Sequence, residues 1–443
     1  MKKILLETAA TIVLSLTLPG QTGEMGGYWE GAMELHNQAT PLAIRFKGAA
    51  GTLSIPELTI FDAPLEFIQR TDSAVTFIYR DLDFPFSFSG ILKKDALKGQ
   101  VKIETGGALP DLERLDIPFQ LTRISDSPPI PPYLIKHLTI PSHGIKLDAH
   151  LYLPEKQTLC PGLILLPGSL SREKGDMAFY ADFFARQGVA SLVFDKRGSG
   201  KSNGAYHSAA YSDFADDAAA CLDELSRQAR VDKRRIGLMG ISQGALLLPI
   251  IASKSPIPAF LIAVSPEVTC VLQSSIYQDG LRLRRLGYSD REVRILEDSH
   301  NEVARMIRRG KSAREVERFI LDNAAKHSFM NQTSLHDRVH ITPEAFSGFY
   351  WKDRVTDLYS FWNRLSVDTL VILGEKDMFI DAAENRRQLE RLNRPNIQIR
   401  IFAKANHVMK KAVDPLTSSP DAMEWPRVLP EYLELLKEWA GRK

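Results

Sequence analysis

Cysteine is scarce: three in 443 residues, Cys160, Cys221 and Cys270. That number builds no disulfide framework, and a chain this long has core enough without one. No C-x-x-C and no H-E-x-x-H occurs, so zinc has no signature and neither metal nor other cofactor is expected. A charge excess is missing too. The 56 Lys and Arg face 54 Asp and Glu, a formal net charge of +2, which argues against a nucleic-acid binder. Apolar runs long enough to span a membrane are absent as well. What remains, with 44% hydrophobic and 25% charged residues, is an ordinary globular composition. The length gives room for two or three domains.

The one local imbalance lies between Leu281 and Arg318, where 11 Lys/Arg stand against 7 Asp/Glu. It reads as a solvated helical face. At the start of the chain, Lys2 and Lys3 precede an apolar stretch, Ala9 to Leu18, followed by Pro19 and Gly20. This is the three-part shape of a secretory signal over 1–23, which implies export to the periplasm or the medium. Glu7 at the entrance and the lack of an A-x-A site fit a docked N-terminal helix of a cytoplasmic protein instead.

Residues 24–126 read as β. Val75, Phe77 and Tyr79 alternate with polar neighbours, as do Phe84, Phe86 and Phe88, the period of a half-buried strand. Turn residues space these runs, which predicts a small all-β sandwich or barrel. The stretch 127–132, Ser127-Pro128-Pro129-Ile130-Pro131-Pro132, is a stiff linker.

From 133 to 443 strands alternate with helices. Short continuous apolar runs at 162–166, 190–194, 236–239, 260–264 and 369–373 suit fully buried parallel strands. Asp213 to Gln228 carries Ala215, Ala218, Leu222 and Leu225 at helical spacing. The expectation is an α/β domain with a mainly parallel central sheet. Between 270 and 365 the alternation gives way to charged, helical periodicity, which predicts a helical cap inserted over the strand ends. Its aromatics, Tyr277, Phe329, Phe346, Phe349, Tyr350 and Trp351, either line an apolar pocket or pack the cap.

The sharpest motif is Gly240-Ile241-Ser242-Gln243-Gly244, set between a buried strand and a helix-prone run. A serine on so sharp a turn needs glycines at its flanks, Gly240 and Gly244, for strand and helix to approach. A serine hydroxyl also needs a general base. His407 is the only histidine beyond Leu373, and it follows the strand-like run 397–402. An acid to orient it is expected after the preceding strand, with Asp377 favoured over Glu375 and Asp381, and Glu267 a weaker rival. An oxyanion hole would take the backbone N–H of Gln243 and one from Pro167-Gly168-Ser169-Leu170, Ser169 being the candidate beside Gly168.

A further motif, Asp195-Lys196-Arg197-Gly198-Ser199-Gly200-Lys201-Ser202, resembles the D-x-R-G-x-G-x-S turn of α/β-hydrolases. With the runs Tyr28-Trp29-Glu30-Gly31 and Phe88-Ser89-Gly90-Ile91-Leu92, the chain looks similar to a bacterial carboxylesterase subfamily with a β-rich N-terminal domain. The resemblance implies an α/β-hydrolase fold, a small-molecule ester substrate and a triad of Ser242, Asp377 and His407. Pro167 departs from the histidine that the subfamily carries before the glycine of the oxyanion loop. Gly200-Lys201-Ser202 is no phosphate loop, because Asp195 stands where its leading glycine belongs.

Ester hydrolysis through an acyl-enzyme is therefore the leading expectation. A peptidase or amidase, or an acyltransferase, would use the same residues. A non-catalytic binding protein on this fold would not need serine, acid, histidine and elbow glycines in that order.

Overall fold

The computed structural model describes residues 25–35, 38–80, 85–103, 116–412 and 428–442. The expected signal at 1–23 lies outside them. Among the described residues no helix is long and apolar enough to cross a membrane. The chain divides into two compact units between Pro128 and Pro129, inside the proline-rich stretch, and Ser54–Ala63 goes with the second unit.

The first region is a sheet. Its strands are β1 (Met25–Leu35), β2 (Gln38–Gly48), β3 (Ala50–Ile55), β4 (Ile60–Pro64) and β5 (Phe67–Thr71). β6 (Ala74–Arg80), β7 (Pro85–Lys93), β8 (Ala96–Ile103) and β9 (Ile117–Ser125) complete it, in the order β4-β3-β2-β1-β9-β8-β7-β6-β5. Along β6 and β7 alternate side chains are buried, Val75 and Phe77, then Phe86 and Phe88. Phe46 of β2 and Phe77 of β6 have ring centroids 5.5 Å apart. Five strand spacings of about 4.8 Å separate those strands in a flat sheet. The sheet therefore bends back on itself, so that β2 and β6 face one another across one core.

The second unit is built on eight strands. These are β10 (Tyr133–Ser142), β11 (Ile145–Pro154), β12 (Cys160–Leu166), β13 (Ala190–Phe194), β14 (Val231–Ile241), β15 (Phe260–Val264), β16 (Asp368–Gly374) and β17 (Ile397–Phe402). Their order is β10-β11-β13-β12-β14-β15-β16-β17. The β10–β11 and β11–β13 pairs are antiparallel, and every pair from β13 to β17 is parallel. Every residue of β12, β13 and β15 is buried, because helices cover both faces of a parallel sheet. These include α1 (Ala178–Arg186), α2 (Tyr211–Ser226) and α3 (Gln243–Lys254).

Between β15 and β16 the chain leaves the sheet for α4 (Val271–Arg285), α5 (Asp290–Arg308), α6 (Ala313–Lys326) and the short α7 (Pro343–Ser347), returning through α8 (Leu358–Arg364). Leu358 N donates to Thr269 O at 2.9 Å, so this helical segment enters and leaves through one narrow neck. It has its own apolar cluster, with Leu283, Leu296, Val303, Ile320, Phe329 and Trp351. Phe346 and Tyr350 pack against that cluster, whereas Phe349 stacks on Tyr211. These aromatics are packing residues. The local charge excess is spread over pairs such as Arg284–Asp290 and Lys311–Glu315, with side chains about half exposed or more.

Candidate active site

The loops that follow β12, β13, β14, β16 and β17 gather the expected residues, the usual place for a site in a parallel α/β sheet. Ser242 stands at the N-cap position of α3, without a side-chain capping hydrogen bond, at φ 56° and ψ −117°. For a non-glycine residue that backbone is strained, as a nucleophile turn requires. A methyl group on Gly240 would run into the Gly244 backbone, and one on Gly244 into the Leu166 and Pro167 carbonyls. Only glycine permits the crossing at either position. Gly168 lies on the other side, where an added Cβ would sit 3.5 Å from Ser242 Cβ.

His407 Nδ1 is 2.7 Å from Asp377 Oδ2, and both side chains are largely buried. A carboxylate can only accept, so the imidazole proton lies on Nδ1 and leaves the Nε2 lone pair open. Asp377 is itself held: its Oδ1 accepts from Phe379 N at 2.7 Å and Ile380 N at 3.1 Å. Ser265 Oγ donates to His407 O at 2.8 Å, while Ser242 N donates to Val264 O at 2.9 Å. The end of β15 thus anchors both the serine and the histidine. Among the described residues no hydrogen bond joins Ser242 Oγ to His407.

The rival acids are engaged elsewhere. Glu267 accepts from Thr269 and from Ser274 Oγ, and burial raises its pKa. Asp381 caps helix α9 (Ala382–Leu392) by accepting from Glu384 N. Glu375 is exposed beside Lys376.

Gln243 supplies the first N–H of α3, one of those that a helix leaves without an intrahelical acceptor. Ser169 is exposed, and its carbonyl accepts from Arg172 Nε at 2.8 Å. The D-x-R-G-x-G-x-S turn serves as scaffold. The buried Asp195 carboxylate accepts from Lys174 and Lys201 N, Arg197 pairs with Asp217, and Ser202 Oγ donates to Asp195 O.

Three residues were not singled out from the sequence. Lys196 is buried, and its Nζ donates to Gly168 O and to Gln243 Oε1, each at 2.6 Å. Burial and then the nearby Arg172 charge push its ammonium down to about 7. A lysine ending the apolar run Ala190 to Phe194 and Asp195 was the available signal. Ser265 is the second, and Phe379, whose ring centroid is 4.9 Å from that of His407, is the third. Tyr277, from α4, donates its hydroxyl to Asp377 O at 3.0 Å, so one of the expected aromatics does stand at the site.

This sheet order and these loops define an α/β-hydrolase. Residues 164–411 match the family model described as serine aminopeptidase, S33, and the chain belongs to that family. An uncharacterized protein of Pseudomonas aeruginosa is 29% identical over 152 residues, which is 33% of this chain and 38% of the relative. The match thus spans well under half of that protein. Among solved structures, an esterase of Pyrococcus furiosus is 18% identical with a TM-score of 0.44, covering 70% of this chain and 91% of its own. A hyperthermophilic esterase of Pyrobaculum calidifontis is 15% identical with a TM-score of 0.43, covering 70% and 82%. Similarities this distant say nothing about substrate.

Proposed function

We propose that this chain is a serine hydrolase that cleaves carboxylic esters through an acyl-enzyme, with Ser242 as nucleophile, His407 as base and Asp377 as orienter. The observation that carries the reading is the 2.7 Å His407–Asp377 contact at the same sheet end as a strained serine. Ser242 Oγ attacks the ester carbonyl while His407 Nε2 takes its proton. The carbonyl oxygen becomes an oxyanion and accepts from the Gln243 and Ser169 N–H groups. Collapse expels the alcohol, which takes the proton back from His407, and water repeats the sequence to release the acid.

Exposed apolar side chains favour uncharged, apolar substrates. Leu170, Met378 and Phe379 are 58%, 38% and 51% exposed, and all three stand on loops that carry proposed site residues. Such side chains offer an apolar surface to an acyl or alcohol group.

The family's description favours a second reading, release of an N-terminal amino acid from a peptide. That reaction calls for a carboxylate to hold the substrate ammonium. Glu267 and Asp381 are already engaged by neighbouring donors, which favours the ester.

A series of aryl esters of increasing acyl length, run beside aminoacyl anilides, tests the choice. Ester turnover is expected, and Ser242→Ala should lower kcat on the order of a million-fold. Turnover of the anilides with no ester hydrolysed would decide for the peptidase.

A further inference from the structure

Lys196 follows β13 by two residues and sends its ammonium under both loops that flank Ser242. Besides Gly168 O and Gln243 Oε1, Leu170 O lies 3.4 Å from Nζ. The rings of Tyr206 and Phe214 cover it further, each with its centroid 5.4 Å away. Lys196 is 4% exposed and Gln243 2%. An ammonium removed from water is destabilising unless acceptors surround it, and here three oxygens and two ring faces do so.

The acceptors, more than the burial, give this lysine its significance. A trans peptide unit points its C=O and its N–H in opposite directions. By holding Gly168 O, Lys196 fixes the plane of the 168–169 peptide, and so turns the Ser169 N–H away from the ammonium. By holding Gln243 Oε1, it also grips the residue whose own N–H is the other proposed donor. Pro167, which opens this loop, offers neither an N–H nor a polar side chain to steady it.

We infer that Lys196 is a positioning residue, a buried ammonium that locks the two backbone N–H donors of the oxyanion hole into one arrangement. The inference rests on the serine-hydrolase reading. Donors held in place before reaction act on the charge that develops in the transition state and contribute little to ground-state binding.

Lys196→Met keeps the side-chain volume and deletes the donor. With p-nitrophenyl butyrate, kcat should fall about ten- to a hundredfold while KM stays within about twofold. The inhibition constant of a trifluoromethyl ketone, whose adduct places an oxyanion in the hole, should rise by the same factor. Gln243→Met leaves the backbone N–H and Lys196 in place and should give a smaller fall of the same kind. The double variant should be no worse than Lys196→Met alone, because the two side chains act as one unit. An unchanged kcat in folded Lys196→Met, or a loss confined to KM, overturns the inference. Should Lys196→Met not fold, Gln243→Met decides, and unchanged kcat and inhibitor affinity there overturn it. If a fluorophosphonate fails to label Ser242 in the folded wild-type chain, the hydrolase reading falls and takes this inference with it. Labelling at Ser242 with both variants at wild-type rates removes the inference alone.

Discussion

Three glycines border Ser242, and they differ in what a side chain would meet. At Gly240 an added methyl would push against the backbone of Gly244 and Ala245, and backbone cannot rotate aside. Gly240→Ala should therefore lower stability by about 1–3 kcal/mol or more, measured by urea unfolding. At Gly168 the nearest atom to an added Cβ is 3.5 Å away, an ordinary contact. Gly168→Ala should stay within about 0.5 kcal/mol of wild type in the same measurement. Asp377→Asn should keep the fold yet lower kcat on the order of 10⁴-fold, because an amide no longer holds the Nδ1–H tautomer. The serine turn was legible in the sequence because its constraint is local, two glycines flanking one serine. Lys196 was not, since Gly168 and Gln243 lie 28 and 47 residues from it along the chain. Chain order pointed to Asp377, whereas the engagement of Glu267 with Ser274 needed coordinates.

At the scale of elements, the helical segment is pinned by a buried polar chain. Arg354, from the turn before α8, donates to His300 Nδ1 at 3.0 Å, and His300 Nε2 lies 2.9 Å from Asp279 Oδ2. Arginine can only donate, so His300 carries its proton on Nε2 and passes it toward the carboxylate. The Arg354 guanidinium also lies 5.7 Å from the ring centroids of both Tyr350 and Trp351. Burial works against the Asp279 charge, but His300 and Ser334 outweigh it and hold the carboxyl below its ordinary range. A carboxyl lowered by folding stabilises the protein above its unfolded pKa of about 3.9 and loses that contribution as the pH falls through the folded value. Asp279→Asn should therefore lose about 3–5 kcal/mol at neutral pH, where it leaves the buried arginine without its counter-charge. The deficit relative to wild type should shrink below pH 4, as followed by urea unfolding at pH 7 and pH 3. Periodicity made these helices legible, with Val293, Leu296, Val303 and Ala304 on one face of α5. It carried no sign that Asp279 and His300 would meet, because a buried polar pair breaks the apolar pattern without naming its partner.

For the whole molecule, the proline-rich stretch marked the division between units because stiff, unpaired backbone belongs between cores. Ser54–Ala63 was hidden from the same reading. A strand shows which residues it buries and not which core receives them. In the second unit Phe61 packs against the cluster that includes Tyr152 and Tyr432, and Val428 N donates to Glu57 O at 3.2 Å. A chain beginning at Pro129 lacks these contacts. It should unfold several degrees below the full-length protein, which differential scanning calorimetry would detect; an unchanged transition would mean that the segment adds no stability.

The neck between Thr269 and Leu358 has a consequence for how such a protein can change over generations. Because the two ends of the inserted segment meet at one hydrogen bond, recombination could exchange everything between them without altering the spacing of β15 and β16. The segment carries its own apolar cluster, so a replacement would bring its own core with it. Selection could then reshape the segment that reaches the Asp377 loop through Tyr277 and Gln278 while the sheet stays the same.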